Sequence, residues 1–207
     1  MDQIQKINYD KVLENIINNL NYKPKLLLHS CCGPCSSYVI TYLKDYFDIT
    51  ILYYNPNIEP IEEYEKRKKE QIKLLNKLNI PSISLMDIYY DNDTYREYIK
   101  GHEDDLEGGN RCHLCYELRL DTTAKKAKEN DYEYYGTTLT VSPYKNAQIL
   151  NKIGERLQEK HNIKWLYSDF KKKEGYKKSI ELSKQYELYR QDYCGCLFSR
   201  EVGKIYE

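Results

Sequence analysis

Short runs of apolar and β-branched residues alternate along the chain with longer stretches whose apolar positions recur every three or four residues. The runs Lys25 to His29 (KLLLH), Ile49 to Tyr54 (ITILYY), Ile83 to Asp87 (ISLMD), Tyr132 to Thr137 (YEYYGT) and Lys164 to Tyr167 (KWLY) predict strands. Helical spacing predicts helices over Ser36 to Tyr46, Pro60 to Leu78, Leu114 to Asn130, Asn146 to His161 and Gly175 to Leu188. A strand followed by a helix, repeated along the chain, implies crossover connections and a sheet covered on both faces. The expected fold is therefore α/β, a doubly wound, mostly parallel sheet of about five strands. Residues 1–22 read as an N-terminal helical extension, and Tyr89 to Arg111 as a short helix and a loop. With no internal repeat, linker or break in composition, residues 1–207 are expected to form a single domain. The charge run EEYEKRKKEQ at Glu62 to Gln71 reads as the solvated face of a helix.

Composition narrows the function classes. Lys and Arg together number 32 and Asp and Glu also 32, so the chain lacks the basic excess of many nucleic-acid binders, although a local basic face is compatible with zero net charge. Tyr is abundant, at 23 against 3 Phe and 1 Trp, which fits codon bias as readily as function. The opening MDQIQKINYDKVLENIINNLNYKP has helical periodicity but no basic segment followed by an apolar core, and no apolar run approaches a bilayer's thickness. A cytoplasmic protein without membrane contact is expected, and in a reducing compartment its cysteines read as metal ligands or catalytic thiols.

All seven cysteines fall into three short clusters: Cys31, Cys32 and Cys35 in CCGPC, Cys112 and Cys115 in CHLC, and Cys194 and Cys196 in CGC. The first follows a predicted strand and opens a helix, the second opens the helix at Leu114, and the third follows the last helix. Loops entering helices from the carboxyl ends of parallel strands meet in one crevice, so the clusters are expected to converge. Helix amino termini favour thiolates, the form that binds metal or attacks. Four sulfurs from CC and CxxC suit either an iron–sulfur cluster or a tetrahedral zinc ion, and spacing alone does not choose between them. Two other classes compete: a thioredoxin-like thiol–disulfide oxidoreductase using Cys32 and Cys35, and a zinc-stabilised nucleic-acid-binding module. The oxidoreductase reading leaves four cysteines without a use and places CGPC on the first strand of a longer parallel series.

HSCCGPCSSYV, YYNPNIEPIEEYEKR, RCHLCYELRL, YGTTLTVSPYKN and YCGCLFSR, in this order from about Lys25 to Arg200, resemble the QueH type of epoxyqueuosine reductase. The resemblance implies reduction of epoxyqueuosine at the wobble position of tRNA to queuosine, the last step in making this base, without a corrinoid. It implies a four-iron four-sulfur (4Fe-4S) cluster beside a mononuclear metal, taken as iron. By the matching motifs, Cys31, Cys32, Cys112 and Cys115 would hold the cluster, and Cys194 and Cys196 would serve the adjacent redox or metal site. Some relatives carry Asp at the position of Cys35, which makes Cys35 either a ligand of the second metal or a spare thiol. The fold implied is that of nucleotide-binding (HUP or PP-loop-like) α/β domains. The partners implied are tRNA bearing epoxyqueuosine and an unidentified electron donor.

Deoxygenating an epoxide takes two electrons and two protons, so a cluster that passes one electron at a time needs a neighbouring metal or dithiol. For Cys194 and Cys196 metal ligation is favoured over a disulfide strained across one residue. His29, His113, Asp192 and Tyr193 are the candidate proton donors, with packing the stronger expectation for both histidines. Tyr53, Tyr54, Asn55, Thr137, Thr138, Tyr144 and Lys145 are candidates for the rim of a pocket that takes a splayed base. Lys171 to Lys173, Lys177, Lys178, Lys184, Arg190 and Arg200 form the best local excess of positive charge, a candidate phosphate-contacting face.

Overall fold

The computed structural model describes residues 6–199. Five strands, β1 (Lys25–His29), β2 (Asp48–Tyr53), β3 (Ser84–Asp87), β4 (Tyr134–Thr137) and β5 (Lys164–Trp165), form one sheet in the order β3-β2-β1-β4-β5, and every pairing is parallel. Helices α1 (Tyr9–Asn18), α2 (Gly33–Leu43), α3 (Ile61–Leu78), α4 (Asn92–Tyr98), α5 (Asn110–Glu129), α6 (Ala147–His161) and α7 (Gly175–Gln185) accompany them. The doubly wound α/β expectation holds, with the sheet parallel throughout.

β1 is apolar at every central position because it is buried on both faces. Leu26 and Leu28 join the core beneath α1, α2 and α7, built with Leu13, Val39, Ile40, Ile51 and Phe170, whereas Leu27 points to the opposite core under α5 and α6, with Leu120, Ala124, Tyr135 and Leu150. This alternation is the period of a pleated strand. The N-terminal helix α1 sends Leu13 into the first core and stacks Tyr9 on Tyr167 with ring centroids 5.9 Å apart. Among the described residues no helix is long and apolar enough to cross a membrane.

Strand order reverses between β1 and β4: the chain runs outward through β2 and β3, then returns to the other side of β1. Such a reversal leaves a crevice beyond the carboxyl ends of the two central strands, where neighbouring connections diverge to opposite faces. Two segments fill its floor. The first is SCCGPC after β1; the second is the single 3-10 turn Leu139–Val141 after β4. The backbone of the exit is clamped from both sides, Ser30 N–H donating to Leu52 O at 2.9 Å and Thr138 N–H to His29 O at 2.9 Å.

Two helices begin earlier than the sequence pattern implies. Helix α2 starts at Gly33, with extended Cys32 as its N-cap residue and Pro34 in its first turn, where a missing N–H costs nothing. Gly33 is required by packing: a Cβ there would lie 2.8 Å from the Glu70 carbonyl oxygen of α3. Helix α5 starts at Asn110, directly after Gly108-Gly109, so CHLC lies within its first two turns instead of opening a helix at Leu114. Cys112 and Cys115 then share one helical face. β5 is shorter than expected, since after Leu166 N–H donates to Tyr135 O the chain leaves the sheet.

Candidate thiol and metal site

The crevice holds a cavity of about 420 Å³ whose lining includes Cys31, Cys35 and Cys194 with Arg67, Arg119 and Lys145. All seven cysteines are free. The sulfurs of Cys31, Cys32 and Cys35 lie within 4.8 Å of one another, the one such group of potential ligands among the described residues. Cys31 and Cys32 sulfurs are 3.7 Å apart. A tetrahedral metal with bonds of about 2.3 Å to thiolates sets its sulfurs about 3.8 Å apart, so the Cys31–Cys32 pair already has the spacing of a soft metal's ligands, with Cys35 close by. Cys35, which the sequence leaves as either a ligand or a spare thiol, stands with the other two because α2 begins at Gly33 and its first turn carries residue 35 back over the loop. Cys194 interacts electrostatically with Cys112, Cys115 and Cys196, and Cys115 with Cys196.

The thiols are unequal. Cys32 and Cys35 donate hydrogen bonds to Cys31, and together with Arg119 and Lys145 they hold its thiol well below the ordinary cysteine range, against the opposing effect of burial. Cys32, whose proton serves Cys31, is pushed up to about 12, and Cys35 rises well above its usual value for the same reason. Burial raises Cys112 and Cys196 and pushes Cys115 up to about 12. A helix amino terminus therefore does not by itself make a thiolate here: burial and neighbouring sulfurs dominate, and the negative charge rests on Cys31.

Arg119 is the counterweight, and sequence reasoning missed it. Its side chain is 2% exposed. Nε donates to His29 Nε2 at 3.2 Å, Nη2 to Asn55 Oδ1 at 2.6 Å, and Nη1 reaches Cys115 Sγ at 3.9 Å. No carboxylate is among these partners; the negative groups that favour its charge are Cys115, Cys31 and Cys194, acting against burial. The available signal was the spacing in CHLCYELR, where Arg119 follows Cys115 by one helical turn. Lys145, expected at the pocket rim, is found there and donates to Cys194 Sγ at 3.6 Å. Burial opposes its charge, yet Cys194, Tyr116 and Cys31 raise its pKa overall, so it keeps its proton.

Other segments hold the loops in place. Gln71 Oε1 accepts from Ser30 Oγ at 2.6 Å and from Ser36 Oγ at 2.9 Å, pinning both ends of CCGPC to α3. Arg67, four residues earlier on the same face, pairs with Glu63 and donates to Cys194 O at 3.0 Å and Tyr193 O at 3.4 Å, so one helix positions two cysteine loops. The charge run is thus solvated on one side only; Tyr64, Arg67, Gln71 and Leu74 are its buried stripe. Gly195 has φ +106°, a conformation side chains resist, and a Cβ there would meet Arg67 Nη1 at 2.8 Å. Gln191 donates from Nε2 to Cys32 Sγ at 3.0 Å and leaves Oε1 buried without a partner.

Several expected rim residues are packing or support residues. Tyr53 is fully buried with its hydroxyl on Tyr64 O, and Tyr54 packs into the core under α5. Asn55 links Arg119 to Ser30 O, and Thr138 Oγ1 accepts from Cys31 N–H at 3.4 Å. Of the candidate proton donors, Asp192 and Tyr193 line the cavity. Burial, then Arg119, push His29 down to about 3. His29 Nδ1 meets Thr137 Oγ1 at 2.9 Å, and Nε2 faces both the Tyr54 carbonyl oxygen at 3.1 Å and Arg119 Nε at 3.2 Å. His29 is therefore a neutral structural residue.

That depressed value has a stability consequence. Between about pH 6.5, where an unfolded His protonates, and its folded value of about 3, the unfolded state binds a proton that the native state refuses. Stability present above pH 6.5 is lost as pH falls through this window, at up to about 1.4 kcal/mol per pH unit. His29→Gln is expected to flatten the slope of unfolding free energy against pH by up to one proton; equal slopes would show that His29 titrates normally in the fold.

A parallel sheet whose central crevice is lined by thiols and buried cations, where dinucleotide-binding sheets carry a glycine-rich turn, defines an α/β protein built around a thiolate site. The chain belongs to the epoxyqueuosine reductase QueH family, whose model matches residues 26–202. It is 45% identical to the epoxyqueuosine reductase QueH of Staphylococcus epidermidis, over 94% of this chain and 85% of the relative. The Streptococcus pyogenes protein of the same name is 38% identical over 99% and 83%, and that of Thermotoga maritima 35% identical over 84% and 89%. Among solved structures, a predicted subunit of tRNA methyltransferase from Methanocaldococcus jannaschii aligns at a TM-score of 0.48 and 15% identity, covering 79% of this chain and 74% of that one. A likeness that distant adds nothing to the topology read from the sheet itself.

Proposed function

We propose that this protein reduces epoxyqueuosine in tRNA to queuosine: the two carbon–oxygen bonds of the epoxide break, an alkene forms, and two electrons and two protons convert the oxygen to water. The observation that carries this reading is a cationic crevice lined by Cys31, Cys35 and Cys194, from two of the three cysteine clusters, with Cys115 of the third bonded to Arg119 in its wall, in a chain whose relatives are named for this activity. The seven thiols are proposed to hold a 4Fe-4S cluster and an adjacent iron. Cys31, Cys32, Cys112 and Cys115 remain the proposed cluster ligands, with Cys194 and Cys196 at the adjacent metal. The closeness of Cys35 to Cys31 and Cys32 supports a ligand role for it over that of a spare thiol. Bound there, the cofactors would supply electrons and a Lewis acid for the epoxide oxygen.

The chain's own groups have separate tasks. Arg119 and Lys145 offset the negative charge that thiolate ligands bring into the crevice, which lowers the cost of burying it. Lys145, holding its proton beside Cys194, is placed to stabilise negative charge developing on the departing oxygen. Gln191, fixed by its bond to Cys32, offers Oε1 to an N–H or O–H of the substrate. Electrons come from an external donor protein or reagent.

Anaerobic purification followed by iron, sulfide and zinc analysis, and then by assay on tRNA carrying epoxyqueuosine, tests the reading. Brown protein with iron and acid-labile sulfide, and conversion to queuosine with a chemical reductant, are expected. Colourless protein that reduces simple disulfides, or tightly held zinc with no turnover, would replace it with one of the competing classes.

A further inference from the structure

A second cleft, of about 770 Å³, opens on the far side of Tyr144 and Lys145. These two residues line both spaces, so the thiol cavity and the cleft are neighbours separated by one turn of chain. The cleft's volume lies within the roughly 300–1,000 Å³ range of ligand-binding clefts. Its lining carries four lysines, Lys6, Lys145, Lys171 and Lys172, against a single carboxylate, Asp169. In a chain with zero net charge this is a concentrated positive site.

The structure also sorts the basic residues that the sequence groups together. Lys173 is paired with Asp10 and Glu14, Lys177 with Glu174, and Lys178 sits over the Tyr38 ring. Arg190 lies over Tyr176 and belongs to the thiol cavity, and Arg200 falls outside the described residues. Lys184 is exposed on α7, and the lysines that share the cleft's lining with the site's own Lys145 are Lys6, Lys171 and Lys172. Tyr144 stands on the ridge between the two spaces and is 79% exposed. A large ring presented to solvent next to a polyanion-sized basic cleft is the arrangement that stacks bases in single-stranded nucleic-acid sites.

We propose that the cleft takes the sugar-phosphate backbone of RNA nucleotides flanking the one whose base enters the thiol cavity, and that Tyr144 stacks on a base at the boundary. This rests on the reading that the substrate is tRNA. Lys6 and Lys172 contact phosphate; Lys171, already bonded to Asp169 at 2.5 Å, shapes the wall.

The test is fluorescence anisotropy with a labelled anticodon stem–loop RNA, titrated between about 50 and 200 mM salt. Tyr144→Ala should weaken binding roughly tenfold while Tyr144→Phe binds as the original does, since stacking needs the ring and not the hydroxyl. Lys6→Gln with Lys172→Gln should flatten the slope of log affinity against log salt by about 1.4 to 1.8, the contribution of two phosphate contacts. A wild-type protein that binds no RNA would overturn both this proposal and the tRNA reading. RNA binding with affinity and slope unchanged in the variants would overturn the cleft alone. So would a lysine pair whose loss weakens binding of inorganic phosphate but not of RNA.

Discussion

Cys31→Ser is expected to strip most of the iron proposed for the site and to lower turnover by more than about 100-fold, the upper end of what removing a mere supporting partner of a metal ligand costs. Cys31 is the one thiol of the triad held low, because two neighbouring thiols donate to it and two cations face it. Serine keeps the size but not the soft, ionised donor. With Cys31 gone, the pattern in which Cys32 and Cys35 give up hydrogen bonds to a central sulfur has no centre, so neither is prepared to ligate in its place. Cys194→Ser with Cys196→Ser should behave differently: turnover lost, visible absorbance retained, because those sulfurs stand on a separate loop held by Arg67. Iron, sulfide and the absorbance spectrum measured on anaerobic protein check both. Equal loss of colour in the two variants would show that the cluster's ligands are divided otherwise than proposed.

The strands and long helices were legible because β1 and β2 are buried on both faces and read as apolar runs, while α3 and α6 keep an apolar stripe against a charged face. The cysteines were legible as clusters. What escaped were the polar residues that the fold buries. Gln71 and Arg67 sit in a run of charge that looks solvated, and only the close approach of α2 to α3, which Gly33 permits, turns one side of it inward. Arg119 looks like one more cation in an amphipathic helix until β1 and the loop after β2 bring His29 and Asn55 to it from residues some 90 and 64 positions away. Local spacing cannot show a buried cation whose hydrogen-bond partners are that distant. The helix starts at Gly33 and Asn110 were displaced for a related reason: proline and paired glycines punctuate the chain before the first apolar position of either helix.

Arg119→Leu is expected to lower stability by about 1–3 kcal/mol, since it leaves the buried Asn55 oxygen without its donor, whereas His29 Nε2 keeps the Tyr54 carbonyl oxygen as a partner. The more telling effect is on metal loading. Arg119 lowers the thiol pKa of Cys31 and opposes the rise of Cys115. Without it both thiols bind their protons more tightly, so at any given pH the proton competes better with the metal, and the midpoint of loading moves to higher pH. Affinity at neutral pH should fall by about 10–100-fold. Arg119→Lys separates the two roles. It returns a positive charge near the sulfurs, and so should bring the loading midpoint back toward that of the unaltered protein. A single ammonium cannot reproduce the planar fork that reaches His29, Asn55 and Cys115 together, so the stability loss should persist. Loading curves for the three proteins from about pH 6 to 9, spanning the ordinary thiol range, read the charge; chemical denaturation reads the fork. If Arg119→Leu loads with an unchanged midpoint, the guanidinium is a packing residue and the thiolates draw their stabilisation from the metal alone.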